Sequence, residues 1–193
     1  MKKKLYIKTA LGLFLATALF SSCLKQANKY DFTNDQPVVD FALVAYKSAA
    51  LQTATISKSA ASNTINAVIT IGAQHDYTTA STITTIIDAN SMTTAYGTTY
   101  TLLPSTVYTN TSLTVNIIPG IQQRIEADDA LVGTPVTLGI TLGAVSFTIN
   151  TANFLALDQT KTYMIPLTIS AASGNNVIID QFHTIYIKIA VGA

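Results

Sequence analysis

The sequence predicts an all-β fold in which two antiparallel sheets, built from seven or more short strands, pack face to face. Three observations carry this. From Val38 onward apolar and polar residues alternate with a period of two, threonine and β-branched residues dominate, and turn-forming residues recur roughly every ten positions. No amphipathic stretch of ordinary helical length interrupts the pattern.

Taken in order, the first clear strand covers residues 65–71, where Ile65, Ala67, Ile69 and Ile71 alternate with Asn66, Val68 and Thr70. Side chains on a strand point to opposite faces in turn, so this spacing puts the isoleucines on one buried face. Residues 83–87, 113–117, 136–142 and 145–149 repeat the pattern. Residues 163–169 and 184–190 are the strongest cases, and the second reads as a closing strand integral to the core. Residues 88–92, beginning at Asp88, suit a single helical turn.

Turn chemistry separates these runs: Gly72, Asp76 with Thr78 and Thr79, Gly97, Pro104-Ser105, Pro119-Gly120, residues 133–135, Gly143 and residues 173–176. Short strands at that interval favour a sandwich over a barrel or a parallel sheet. Pro166 lies inside a strand pattern and has no N–H to give a ladder, so the expectation is an edge position or a bulge.

The N-terminus has a different character. Lys2, Lys3, Lys4 and Lys8 precede an apolar run from Ala10 to Phe20, and Ser21 and Ser22 stand just before Cys23. A basic start, an apolar centre and small residues before a cleavage point make a secretory signal peptide over residues 1–22. The apolar run covers roughly 16 Å as a helix, about half the thickness of a membrane core, which argues against a retained transmembrane anchor. The end of the run resembles a bacterial lipobox, which implies lipidation of Cys23, although Phe20 occupies a position where that pattern usually has leucine. Ordinary signal-peptide cleavage with an unmodified cysteine is the alternative. Cys23 is the one cysteine of the chain, so no internal disulfide supports the fold. Two or more acyl chains give stable anchoring. Residues 24–37 are polar and read, with Cys23, as a flexible tether that leaves residues 38–193 as one domain.

Charge narrows the partners. Of 11 Lys and Arg, four precede Cys23, leaving seven against ten acidic residues and a formal charge of −3 for the processed chain. Lys47, Lys58, Arg124, Lys161 and Lys188 are scattered singly, which argues against nucleic acid and against electrostatic docking on anionic lipid. The expected membrane partner is reached through the N-terminal lipid alone.

Several motifs fall in a fixed order: Tyr100-Thr-Leu-Leu-Pro104 followed by Tyr108, Leu113-Thr-Val-Asn-Ile117 with Gly120, Tyr163-Met-Ile-Pro-Leu-Thr-Ile169, and Tyr186-Ile-Lys-Ile189. This order and spacing resembles a domain of unknown function in Bacteroidetes surface lipoproteins, over roughly residues 38–190. The resemblance implies an immunoglobulin-like β-sandwich, an outer-membrane lipid anchor exposed at the cell surface, and the company of lectin-like or family 18 glycoside hydrolase modules. Residues 121–143, with Glu126, Asp128 and Asp129, form a longer insertion than the pattern needs. No such module follows within this sequence, so hydrolase activity is not carried over.

The residues themselves point away from catalysis. Glu126 is the single glutamate and has no preceding acidic cluster, against the paired carboxylates that glycoside hydrolysis requires. Two histidines, His75 and His183, with Cys23 committed to lipid, supply too few ligands for zinc, and Glu126, Asp128 and Asp129 lack the regular spacing of a calcium loop. No serine stands in a nucleophile elbow and no glycine-rich phosphate loop is present. The expectation is a protein that is not an enzyme and needs no cofactor or metal.

Binding remains. Sugar rings stack on aromatic faces, and with no tryptophan the candidates are Tyr77, Tyr96, Tyr100 and Tyr108, concentrated among threonines and asparagines. Asn90, Asn110 and Gln74 become polar partners if their loops converge. The same tyrosines also suit a structural role, with one face on the core. Two classes of function stay open: an accessory module binding extracellular glycan or other surface proteins, and a structural or adhesive fimbrial-type subunit. A strand-donating subunit needs a detachable terminal β-segment, and residues 184–191 read as fixed in the core.

Overall fold

A computed structural model describes residues 36–72, 79–119 and 142–192. The signal peptide, Cys23, most of the tether, Gln74, His75, Tyr77, the metal-loop carboxylates and the expected strand over residues 136–141 lie outside the described residues.

Eleven strands and three short helices follow one another among the described residues. β1 (Val38–Phe41) leads through α1 (Ala42–Lys47) to β2 (Leu51–Ile56), then β3 (Ser62–Gly72) and β4 (Ser81–Ile87). After α2 (Ala89–Tyr96) come β5 (Thr101–Leu102), β6 (Tyr108–Asn110) and β7 (Thr114–Ile117). β8 (Leu142–Asn150), α3 (Thr151–Leu155), β9 (Tyr163–Ala172), β10 (Val177–Ile178) and β11 (Thr184–Val191) complete the order. One sheet runs β10-β1-β3-β8-β6, the other β2-β11-β9-β4-β7 with β5 alongside β9.

The alternation seen in the sequence becomes the core of a β-sandwich. Phe41, Ile65, Ile69, Ile71, Phe147 and Ile149 on the inner face of the first sheet meet Ile56, Ile83, Ile165, Leu167, Ile185 and Ile187 on the inner face of the second. Each such side chain contributes about 1.5–3 kcal/mol on burial. A one-residue slip in any strand would turn that set to solvent, so the apolar pattern fixes the register. Leu43 and Val44 of α1 and Phe154 of α3 join this core, Phe154 meeting Tyr163 edge to face at 5.9 Å.

Three details depart from the sequence reading. The sheets are mixed: β1 pairs β10, β2 pairs β11 and β5 pairs β9 in parallel. Hairpin-linked neighbours must be antiparallel, but these partners are far apart in the chain and carry no such constraint. Pro166 sits at neither an edge nor a bulge, for β9 has β11 on one side and β4 and β5 on the other. Its carbonyl accepts from Asp88 N, where β4 has just ended and β5 has not begun, so the missing N–H faces a gap in the ladder. Gly143 is no turn but the second residue of β8, and a Cβ there would meet Val115 Cγ2 at 3.0 Å and Ile117 Cγ1 at 3.2 Å. Glycine lets β7 approach β8 closely.

Candidate functional site

On the outer face of the six-stranded sheet the strands present Tyr186, Lys188, Met164, Pro166 and Thr168 between the inward-pointing isoleucines. Met164 and Met92 are nonetheless buried, at 0% and 5% exposure, because α2 lies over β9 and shields this strip. The helix is fastened at its start. Asp88 donates its backbone N–H to Pro166 O (3.1 Å), its carboxylate accepts from Ser91 N (3.0 Å), and Ser91 Oγ donates to Asp88 O (2.9 Å). It stops at Gly97, whose φ of 59° closes the last turn through Gly97 N to Thr93 O (2.8 Å). The following turn is tied back to β9 by Thr101 N to Thr162 O and Leu103 N to Met164 O, both 2.9 Å.

This path places Tyr96, at the end of α2, and Tyr100, just before β5, beside Tyr186 of β11. The centroid of Tyr96 lies 5.2 Å from that of Tyr100 at 90°, and 5.0 Å from that of Tyr186 at 89°. All three rings are half-buried. Perpendicular rings form an inside corner: one ring offers a face for stacking while its neighbour presents an edge and a hydroxyl. Burial pushes the Tyr96 phenol above its ordinary range, and the neighbouring Tyr186 and Tyr100 phenols push it further. The Tyr96 phenol is therefore neutral at physiological pH.

The four sequence-predicted tyrosines do not meet. Tyr96 and Tyr100 come together, Tyr77 lies outside the described residues, and Tyr108 belongs to β6 of the other sheet, edge to face with Phe147 at 5.5 Å. Burial raises its phenol pKa as well. Asn90 on α2, over the six-stranded sheet, and Asn110 on β6 of the other sheet do not meet either, and Asn110 donates to Thr111 O (2.6 Å). Tyr186 was missed as a site residue, although its alternation with Ile185 and Ile187 already turned it away from the core. The His183 ring meets Asp180 O, and its own carbonyl accepts from Ile169 N (2.8 Å).

Beside Tyr108 the surface opens into a cleft of about 280 Å³, lined by Tyr108, Thr109, Thr148, Asn150, Asn153 and their neighbours. Among the described residues no three His, Cys, Asp or Glu side chains gather as metal ligands.

No protein-family profile matches the chain, and no curated protein matches it in sequence. Solved structures do match in fold. A candidate carbohydrate binding protein from Bacteroides ovatus superposes with a TM-score of 0.50 at 13% identity, over 80% of this chain and 37% of that one. A multidomain protein including DUF1735, also from Bacteroides ovatus, gives 0.51 at 14% identity over 74% of this chain and 41% of that one. A two-domain protein of unknown function from Bacteroides fragilis gives 0.50 at 9% identity over 87% and 50%. At such identity the likeness is one of fold, and this chain spans half or less of those proteins' lengths.

Proposed function

We propose that the chain is a non-catalytic accessory module that binds uncharged glycan at the corner formed by Tyr96, Tyr100 and Tyr186. The observation that carries this reading is the geometry of that corner: three half-buried rings, that of Tyr96 perpendicular to those of both Tyr100 and Tyr186, on an outer sheet face where backbone bonds tie the helix and its exit turn to β9. Fixed aromatic rings lose little entropy on binding a sugar face. Composition supports the ligand class, since charged residues make up 11% of the chain against about 25% in an ordinary domain. A surface of hydroxyls and amides suits a ligand made of hydroxyls. The fold shared with a candidate carbohydrate binding protein agrees with it.

Lipidation at Cys23 and display at the outer membrane complete the proposal, with residues 24–37 as the tether. Mass spectrometry of protein from its own host tests that part: an N-terminal acylated Cys23 is expected, and a retained leader contradicts it. A glycan array probed with wild type and Tyr100→Ala tests the binding. Neutral oligosaccharide hits that vanish in the variant are expected. The absence of any hit, or polymer ladders resistant to mild heating, would favour the structural subunit instead.

A further inference from the structure

We propose that the cleft beside β6 is a second binding site, on the other sheet from the tyrosine corner, taking one uncharged polyhydroxylated ring. Its polar groups are only partly used by the fold. Asn150 Oδ1 accepts from Asn153 N (2.9 Å), which leaves both hydrogens of the Asn150 amide unspent among the described residues. Asn153 Nδ2 donates to Thr106 O (3.3 Å), which leaves its Oδ1. Thr109 and Thr148 stand opposite each other across β6 and β8, and neither hydroxyl has a hydrogen-bond partner among the described residues.

Three physical limits set the ligand. Among the described residues no charged side chain lines the cleft, and a charge brought there without a counter-charge would be costly to desolvate. An apolar ligand would strand the free amide and hydroxyl groups, at about 1–3 kcal/mol each. A volume of about 280 Å³ falls just short of the range of drug-sized ligand sites, which begins near 300 Å³, and suits a single ring. What remains is a neutral ring whose hydroxyls both donate and accept, such as a pyranose.

The walls are set before any ligand arrives. Val107 N donates to Pro104 O (3.0 Å), Asn150 N donates to Val107 O (2.9 Å), and the buried Asn63 holds Thr151 Oγ1 at 3.0 Å just behind. Groups already in place spend little ordering entropy on binding. Naming the ring a sugar rests on the glycan reading of the corner, whereas the cleft geometry is independent of it.

The test maps amide shifts on the ¹⁵N-labelled full chain, titrated separately with the methyl glycosides of glucose, N-acetylglucosamine and mannose, and with glucuronate as a charged control. At least one neutral glycoside is expected to give saturable shifts at Thr109, Thr148 and Asn153. The isosteric pair Thr109→Val with Thr148→Val, folded as judged by an unchanged spectrum elsewhere, should weaken that binding by about tenfold. Shifts confined to the Tyr96–Tyr100 region, unchanged binding in the double variant, or equal binding of glucuronate would overturn the cleft proposal. Shifts at the cleft without any at the corner would support it and remove the corner reading instead.

Discussion

Asp40 gives the sharpest stability prediction, because one of its oxygens, Oδ1, is buried with no hydrogen-bond partner among the described residues. It sits in β1 opposite Thr70, and burial raises its carboxyl pKa from 3.8 to about 6. The folded state therefore holds this proton more tightly than the unfolded chain does. Below pH 3.8 both states are protonated and the residue costs nothing; from there to about 6 the unfolded chain ionises first, and stability falls as pH rises. Above that range the penalty is constant. Two pKa units correspond to about 3 kcal/mol, and water still reaching part of the group reduces this to about 2–3 kcal/mol. Asp40→Asn has the shape of the protonated acid and removes the titration. Urea unfolding of both proteins at acid and mildly alkaline pH isolates the effect, since every other carboxylate cancels in the difference. The variant should match wild type at acid pH and exceed it by about 2–3 kcal/mol at the higher pH, or about 5–10 °C in Tm. Equal stability at both pH values, or a variant weaker at the higher one, would refute the reasoning.

The remaining predictions concern the corner and the polar interior. Tyr96→Ala removes two edge-to-face pairs and should lower stability by about 1–3 kcal/mol in denaturant unfolding, while Tyr96→Phe stays near wild type. Gly97→Ala places a side chain at a φ of 59° and should cost about 1–3 kcal/mol, visible as a lower melting temperature. Asn63 accepts from Ser57 N (2.9 Å) and donates to Ser57 O (3.1 Å) and Thr151 Oγ1 (3.0 Å), so Asn63→Ala should cost about 1–3 kcal/mol by the same assay.

The long strands were legible because period-two alternation is a direct image of burial. Residues 65–71, 163–169 and 184–190 all lie within the strands observed, and β11 is enclosed between β2 and β9 as a closing strand integral to the core should be. Asp88 also signalled its helix, which runs on to Tyr96. Other features depend on pairing between distant segments. Nothing near Pro166 in the chain announces that β4 ends beside it, and nothing near Gly143 announces Val115. α1 and α3 are too short to show a helical period. The tyrosine cluster proposed as the site was half legible for the same reason. Tyr96 and Tyr100 are local to one helix and its exit turn, whereas Tyr186 joins them only through the register of β11 on β9, which sets it opposite Pro166.

The most direct measurement is a calorimetric titration of a neutral oligosaccharide recovered from the array into wild type, Tyr100→Phe and Tyr100→Ala. Stacking on the ring predicts that phenylalanine binds within a few-fold of wild type and alanine at least about tenfold more weakly, a loss of about 1.4 kcal/mol or more. Alanine binding as tightly as wild type, with the fold intact, would contradict the account.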